Sequence, residues 1–413
     1  MATCVSSAGK CLTLKVYMPN MKRIAFVHNN FPAGGAERVT IDIARYLSSI
    51  GGYEVYVYAS RVAESLLTDE IGRTITLRKI PTQAISSRRV KAIERYLVED
   101  KIDILVQVVR SLPGIEGIKS RTGVKTIVAC HGEPFWQRYA ITFRRQKGFL
   151  RKLMWVMFNK RRYADGTLAM KKAVERTRRE YQTCDAYTVL CEPYKYQVAE
   201  ALGIDAATSH IHAIENSDLP VNEVCWEKEN IIMFCGRFEN WSKRIDRLFR
   251  IWAMVQDRLP DWRLVLVGNG PDASMLRTMA KELNLERVSF EGMQKDVGRY
   301  YDKASVVAMT SQTEGWGLAL SEAQARGCIG IAFGCTGGIK EILEPDGECG
   351  FIVPAFDEIE YAETLLRIAA MSEDERLRIR RNSVEKRLRY SPGVIAEKWR
   401  KLFDQMTSSD ESI

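Results

Sequence analysis

The chain is short of the features that would make it a disulfide scaffold, a metal protein or a membrane span. Its ten cysteines contain no C-x-x-C pair, so they look like reduced cytosolic thiols rather than a bridging framework. Only four histidines are present and they form no metal cluster; His210 and His212, the nearest pair, fit a surface or a strand better than a ligand set. No segment reaches the roughly 18 uninterrupted apolar residues that a membrane-crossing helix needs. Short internal repeats and low-complexity tracts are also missing, so a repeat array is excluded.

What the sequence does contain is enough apolar material for two ordinary domains, with 413 residues of which 46% are hydrophobic. Short apolar, β-branched runs alternate with helical patterns, which predicts an α/β fold with parallel sheets covered on both faces. Strands are expected at Arg23 to His28, Tyr53 to Ala59, Ile102 to Val109, Lys125 to Cys130 and Ala186 to Cys191. A second set follows at Ile231 to Cys235, Arg263 to Val267, Val288 to Phe290, Val306 to Thr310 and Ile329 to Ala332. Between the two sets, Asn216 to Asn230 is polar and carries Pro220, as an interdomain connection would. Met21-Lys-Arg-Ile-Ala-Phe-Val-His begins like a first strand, which leaves residues 1–20 as a loose extension or a stretch ahead of a natural start at Met21.

Two windows carry chemistry. Glu314-Gly-Trp-Gly-Leu-Ala-Leu-Ser-Glu322 sets two carboxylates eight residues apart around a glycine-broken turn, between a strand-like run at Ala304 to Thr310 and a helix-forming run at Ala319 to Arg326. A helix N-terminus offers unpaired amides and partial positive charge to a phosphate, and carboxylates accept from hydroxyls. The segment is therefore complementary to a sugar joined to a diphosphate, although a plain strand-turn-helix connection with surface glutamates explains it equally well in isolation. The second window, Phe234-Cys-Gly-Arg237-Phe-Glu-Asn-Trp-Ser-Lys243-Arg244, follows another apolar run. Arg237 supplies a planar fork and Lys243 a point charge, a pair able to clamp a diphosphate; solvated surface cations are the plainer alternative.

Further pieces occur in a fixed order. They are Phe31-Pro-Ala-Gly34-Gly35-Ala-Glu37-Arg38-Val39, His131-Gly132, Asn216, Val267-Gly268-Asn-Gly270-Pro, Phe290-Glu-Gly292, Gly337-Gly338 with Glu341, and Cys349-Gly350-Phe-Ile-Val-Pro354. Taken with the two windows, from Met21 through nearly the whole chain, they resemble the retaining glycosyltransferases of the GT-B fold, family 4. That resemblance implies two Rossmann-like parallel-sheet lobes facing across a cleft. An acceptor lobe would span 21–217, a linker 218–229, a nucleotide-sugar lobe 230–388, and a C-terminal helix within 389–413, near Ser391 to Phe403, would cross back to the first lobe.

The resemblance also implies a reaction: transfer of a hexose or N-acetylhexosamine from a nucleoside diphosphate sugar, with retention, to a glycan or lipid-linked acceptor of cell-surface polysaccharide synthesis. UDP is the expected nucleotide because it is commonest in the family. Arg237 and Lys243 would neutralise the departing diphosphate, and Gly34 and Gly35 would let the first loop approach it closely. Glu314, with amides near Gly317 and Leu318, would hold donor-sugar hydroxyls, Glu322 would accept both ribose hydroxyls, and His131 would sit near the anomeric centre. Gly236, Gly268 and Gly292 would border the nucleotide. No D-x-D triplet supplies ligands for a metal-bridged diphosphate, so neither metal nor cofactor is expected, and the cations stand in for the metal. Trp316 departs from the more usual phenylalanine and would enlarge an aromatic wall of the donor pocket.

Net charge is +9 but unevenly placed: Arg138 to Glu180 holds 14 Lys and Arg against 3 Asp and Glu. Within it, Phe149 to Phe158 is an apolar arc at helical spacing, flanked by Arg144, Arg145, Lys160 and Arg161. Such a helix suits an anionic membrane surface, at roughly 1 kcal/mol per basic residue near such lipids, or equally a lobe helix with a solvated basic rim. No nucleic-acid fold motif accompanies the patch, so nucleic acid is not an expected partner. The competing functions are a GT-B phosphorylase or epimerase and a non-catalytic membrane-associated binding protein. An oxidoreductase is excluded because Gly34-Gly35-Ala-Glu37 lacks G-x-G-x-x-G spacing.

Overall fold

Runs such as Ile104-Leu-Val-Gln-Val108 are buried along their whole length, which only a sheet covered on both faces permits. In the computed structural model, which describes residues 21–32, 34–82, 86–108, 112–136, 167–218 and 223–408, such runs make two parallel sheets. The first contains β1 (Lys22–Phe31), β2 (Tyr53–Val62), β3 (Thr76–Lys79), β4 (Ile104–Val108), β5 (Lys125–Ala129), β6 (Ala186–Val189) and β7 (Ile211–Ala213), in the order 3-2-1-4-5-6-7. The second contains β8 (Glu229–Cys235), β9 (Arg263–Val267), β10 (Val288–Gly292), β11 (Ala304–Met309), β12 (Ile329–Phe333) and β13 (Phe351–Val353), in the order 10-9-8-11-12-13. Strand order reverses beside β1 and again beside β8, and a doubly wound sheet opens its ligand crevice at the C-terminal strand ends of such a reversal. The α/β class and the two Rossmann-like lobes are as expected. All ten expected strands are present; β3, β7 and β13 were not anticipated, and each is a three- or four-residue strand at a sheet edge.

The last helix, Pro392–Thr407, starts with proline in its first turn and returns to the first lobe. Trp399 and Phe403 both lie edge-on against Phe26 of β1, with ring centroids 6.5 and 6.4 Å away. The Tyr46 hydroxyl donates to Glu397 at 2.9 Å, and Lys22 and Tyr53 both donate to Asp404 at 2.5 Å. One buried apolar cluster runs through both lobes, including Tyr194 from the first and Trp316 and Ile339 from the second.

The polar connection expected from Asn216 starts as buried structure: Asn216, Ser217 and Asp218 are each under 5% exposed. Asn216 and Ser217 bond to His131, Asp42 and Arg38, and Asp218 faces the Arg387 guanidinium at 3.7 Å, partners that a window of sequence does not reveal. Residues 1–20 and the basic arc with Arg144, Arg145, Lys160 and Arg161 lie outside the described residues. Among the described residues no helix is long and apolar enough to cross a membrane.

Candidate active site between the two sheets

The second lobe supplies the acidic end of the site. The chain leaves β11 at Met309, runs through Glu314, and enters the helix Leu318–Ala325 with Gly317 as its N-cap. Glu314 Oε1 accepts from Lys243 Nζ and from Ser311 Oγ, each at 2.6 Å. Lys243 ends the short helical turn Asn240–Lys243 after β8, and that turn is tied to the Glu314 loop by Gln312 N donating to the Ser242 carbonyl at 2.7 Å. Glu314 and Lys243 are thus joined as a pair, while Glu322 stands on the second turn of the helix behind them.

The first lobe reaches over to meet these groups. His131 follows β5, with Nδ1 3.1 Å from Asn216 Oδ1. Burial lowers its pKa to about 4, against the raising effect of the Asn216 hydrogen bond, so the ring is neutral at pH 7. With Asn216 Oδ1 accepting, Nδ1 carries the proton and Nε2 keeps its lone pair. A Cβ on Gly315 would fall 2.7 Å from the His131 carbonyl and 2.9 Å from Gly132 Cα, so only glycine lets the Glu314 loop pass so near. A Cβ on Gly35 would likewise fall 2.5 Å from Leu318 Cδ1, which brings the first glycine loop onto the second-lobe helix N-terminus. Gly34 caps the helix Gly35–Ile50 and packs against the Glu37 carboxylate, whose Oε1 is 3.4 Å from His28 Nδ1.

A cavity of about 530 Å³ in the second lobe is lined by Gly236, Arg237, Gly268, Gly270, Met293 and Gln294, among others. That size suits a nucleotide. Gly292 braces the cavity through its carbonyl, which accepts from Gly268 N at 2.8 Å. The Arg237 side chain is 67% exposed, its guanidinium 3.9 Å from Glu239, while Lys243 stands beside Gly236.

Four participants were missed in the sequence. Arg38 crosses the cleft to pair with Glu322 through Nη1 and gives Nη2 to the Ser217 carbonyl at 3.1 Å. Tyr194 donates from the first lobe to the Glu314 carbonyl at 3.0 Å, and Thr313 donates to Glu133. Arg38 stood inside a motif already singled out; the others carry no local signal. One expectation is corrected: Trp316 does not wall the donor pocket. It is 2% exposed and packs edge-on against Tyr390 at 5.3 Å, because the Glu314 loop turns its bulky residue inward onto the C-terminal crossover.

The family model for glycosyl transferases group 1 matches residues 221–386, and that for Glycosyltransferase Family 4 matches residues 33–217. An uncharacterized glycosyltransferase of Haemophilus influenzae is 28% identical over 340 residues, 80% of this chain and 86% of its own. An N-acetyl-D-galactosaminyltransferase of Campylobacter jejuni, named for a PP-undecaprenol-linked glycan, is 23% identical over 399 residues, 94% of this chain and 100% of its own. Among solved structures, sucrose-phosphate synthase from Thermosynechococcus elongatus superposes with a TM-score of 0.70 at 18% identity, covering 94% of this chain and 100% of its own. Anabaena HepE in complex with UDP and glucose gives 0.68 at 16% identity, covering 93% and 100%.

Proposed function

This chain belongs to the family 4 glycosyltransferases of GT-B fold, and from that premise we propose that it moves a hexose or N-acetylhexosamine from a UDP-sugar to a glycan or lipid-linked acceptor, with retention and without a metal. The observation that carries the proposal is the meeting of Lys243, Glu314 and Glu322 from one lobe with Gly35 and His131 from the other, at the C-terminal strand ends. The UDP held by the HepE structure and the undecaprenol-linked glycan in the Campylobacter enzyme's name support the donor and acceptor classes.

In this reading the nucleotide lies in the cavity beside Gly236 and Gly268, and Glu322, held by Arg38, accepts the ribose hydroxyls. Glu314 holds the sugar. The bond from C1 to the diphosphate oxygen breaks as the acceptor oxygen bonds to C1 on the same face, and the acceptor proton passes to the departing oxygen. Lys243 and Arg237 stabilise the charge that develops there, the task a metal ion performs elsewhere. His131, neutral and fixed by Asn216, lines the anomeric centre without adding a competing charge.

Thermal unfolding with UDP, GDP and ADP tests the donor class. Saturation at about 100 times the dissociation constant adds roughly 2.7 kcal/mol of stability, so UDP is expected to raise the wild-type midpoint clearly and to leave Arg237→Ala and Glu322→Ala little changed. If no nucleotide raises the wild-type midpoint, the proposal fails. The proposed place of action is the cytoplasmic face of the membrane, held by the basic arc. Replacing Arg144, Arg145, Lys160 and Arg161 by Gln is expected to abolish sedimentation with anionic vesicles, and unchanged sedimentation refutes the attachment.

A further inference from the structure

Two tryptophans meet across the cleft beside the reacting end of the site. Trp136 belongs to the first-lobe segment that begins with His131 and Gly132, and its Cδ1 lies 3.7 Å from where a Gly132 Cβ would stand. Trp241 belongs to the second lobe, on the turn that ends in Lys243. Their ring centroids are 6.4 Å apart and their planes are inclined by 38°. A tryptophan that serves only as core filling is shut away, as Trp252 and Trp316 are at 1% and 2% exposure. Trp136 and Trp241 are instead only partly buried, although each sits on a segment tied to the catalytic groups. Neither lines the nucleotide cavity.

The chemistry of such a pair is specific. A pyranose ring carries its axial C–H bonds on faces that are apolar enough to pack on an indole, while its hydroxyls point outward to polar partners. An indole offers a broad, rigid surface at small cost in side-chain entropy. With planes inclined by 38° the two rings meet as a tilted pair rather than a stack, one ring from each lobe. Polar groups stand on the same two segments: Thr313 donates to the buried Glu133 between the lobes, and Lys243 pairs with Glu314.

We propose that Trp136 and Trp241 form the acceptor platform, and that the acceptor presents a pyranoside whose C–H face packs on these two rings, rather than a polyol or a bare lipid alcohol. The inference rests on the glycosyltransferase reading and deepens it by assigning the acceptor's terminal residue to the sugars.

Saturation-transfer NMR on the full chain with UDP tests this. The probes are the methyl pyranosides of glucose, galactose, N-acetylglucosamine and N-acetylgalactosamine, with glycerol and octanol as controls. Irradiating aromatic protons is expected to transfer magnetisation to ring C–H protons of at least one pyranoside and to neither control. Trp241→Ala is expected to bind that sugar about tenfold more weakly, while Trp241→Phe and Trp136→Phe retain most of the signal. UDP should raise the unfolding midpoint equally in all four proteins. Transfer to no pyranoside, transfer to octanol instead, or a Trp241→Ala variant that binds the sugar as the wild type does would overturn the proposal. Loss of the UDP shift together with the sugar signal in Trp241→Ala would also overturn it, by showing that the pair merely latches the lobes. A wild type that binds a pyranoside but no nucleotide would instead refute the donor reading and leave the platform standing.

Discussion

Lys243→Ala is expected to lower the rate of UDP release from the preferred UDP-sugar by about 10²–10³-fold, the usual cost of removing one preorganised group that meets developing charge. The effect should fall mainly on kcat. Lys243 is held 2.6 Å from Glu314, and its added worth is expected to grow as the diphosphate oxygen takes up negative charge. Lys243→Arg keeps the charge but replaces a compact ammonium by a planar fork, and is expected to recover only part of the rate. Glu314→Ala makes the complementary case: turnover falls because the sugar loses its hydroxyl partner and Lys243 loses its anchor. Mass spectrometry of the enzyme held with donor should find no glycosyl adduct at Glu314, since same-face displacement needs no carboxylate nucleophile, unlike a retaining glycosidase. Lys243→Ala activity within about threefold of wild type, roughly 0.6 kcal/mol, would remove the cation from the mechanism, and a stable adduct would replace the mechanism itself.

Lys243 and Glu314 were legible in the sequence because each lies where an apolar strand run breaks at a glycine, a signal carried within a dozen residues. The two-lobe architecture was legible for the same reason, through the central strands that are buried on both faces. Edge strands such as β13 are too short to show a period, and their pairing is decided by the neighbouring strand. The Arg38 to Glu322 contact joins positions 284 apart and exists only because the lobes face each other, so no local pattern encodes it. Trp316 shows the opposite failure: its place in a chemical motif suggested a pocket wall, while its size and apolarity drove it onto Tyr390 in the core. Glu133 is in plain view beside His131-Gly132 but has no meaning until Thr313 is brought across the cleft.

The largest effect on stability is expected where the chain crosses between lobes. Asp218 leaves the first lobe and pairs with Arg387, which precedes the returning helix; Asp218 N also donates to the Tyr390 carbonyl at 2.8 Å. The pair is loose, 3.7 Å from Arg387 Nε to Asp218 Oδ2, yet both side chains are under 5% exposed, and the guanidinium lies 4.0 Å over the Tyr390 ring. Removing one member of such a pair typically costs about 3–5 kcal/mol, because the other charge stays buried without its partner. The two single changes are not equivalent. A guanidinium does not shed its proton, whereas burial already pushes the Asp218 carboxyl above its ordinary range, with the Arg387 charge as the chief opposing influence. Asp218→Leu should therefore be the more damaging change at pH 7, and Arg387→Met the milder one, since Asp218 can take up a proton. The sign of the pH dependence follows: in Arg387→Met the folded-state pKa of Asp218 rises further above its unfolded value, so stability is recovered as pH falls from 7 toward 5. Asp218→Leu should show no such recovery, and the double variant should lie above both singles. Urea midpoints for the four proteins at pH 7 and pH 5 decide the matter. Equal losses in the two single variants, or a double variant no better than the worse single, would mean that this crossing is held by packing on Tyr390 and not by the buried charges.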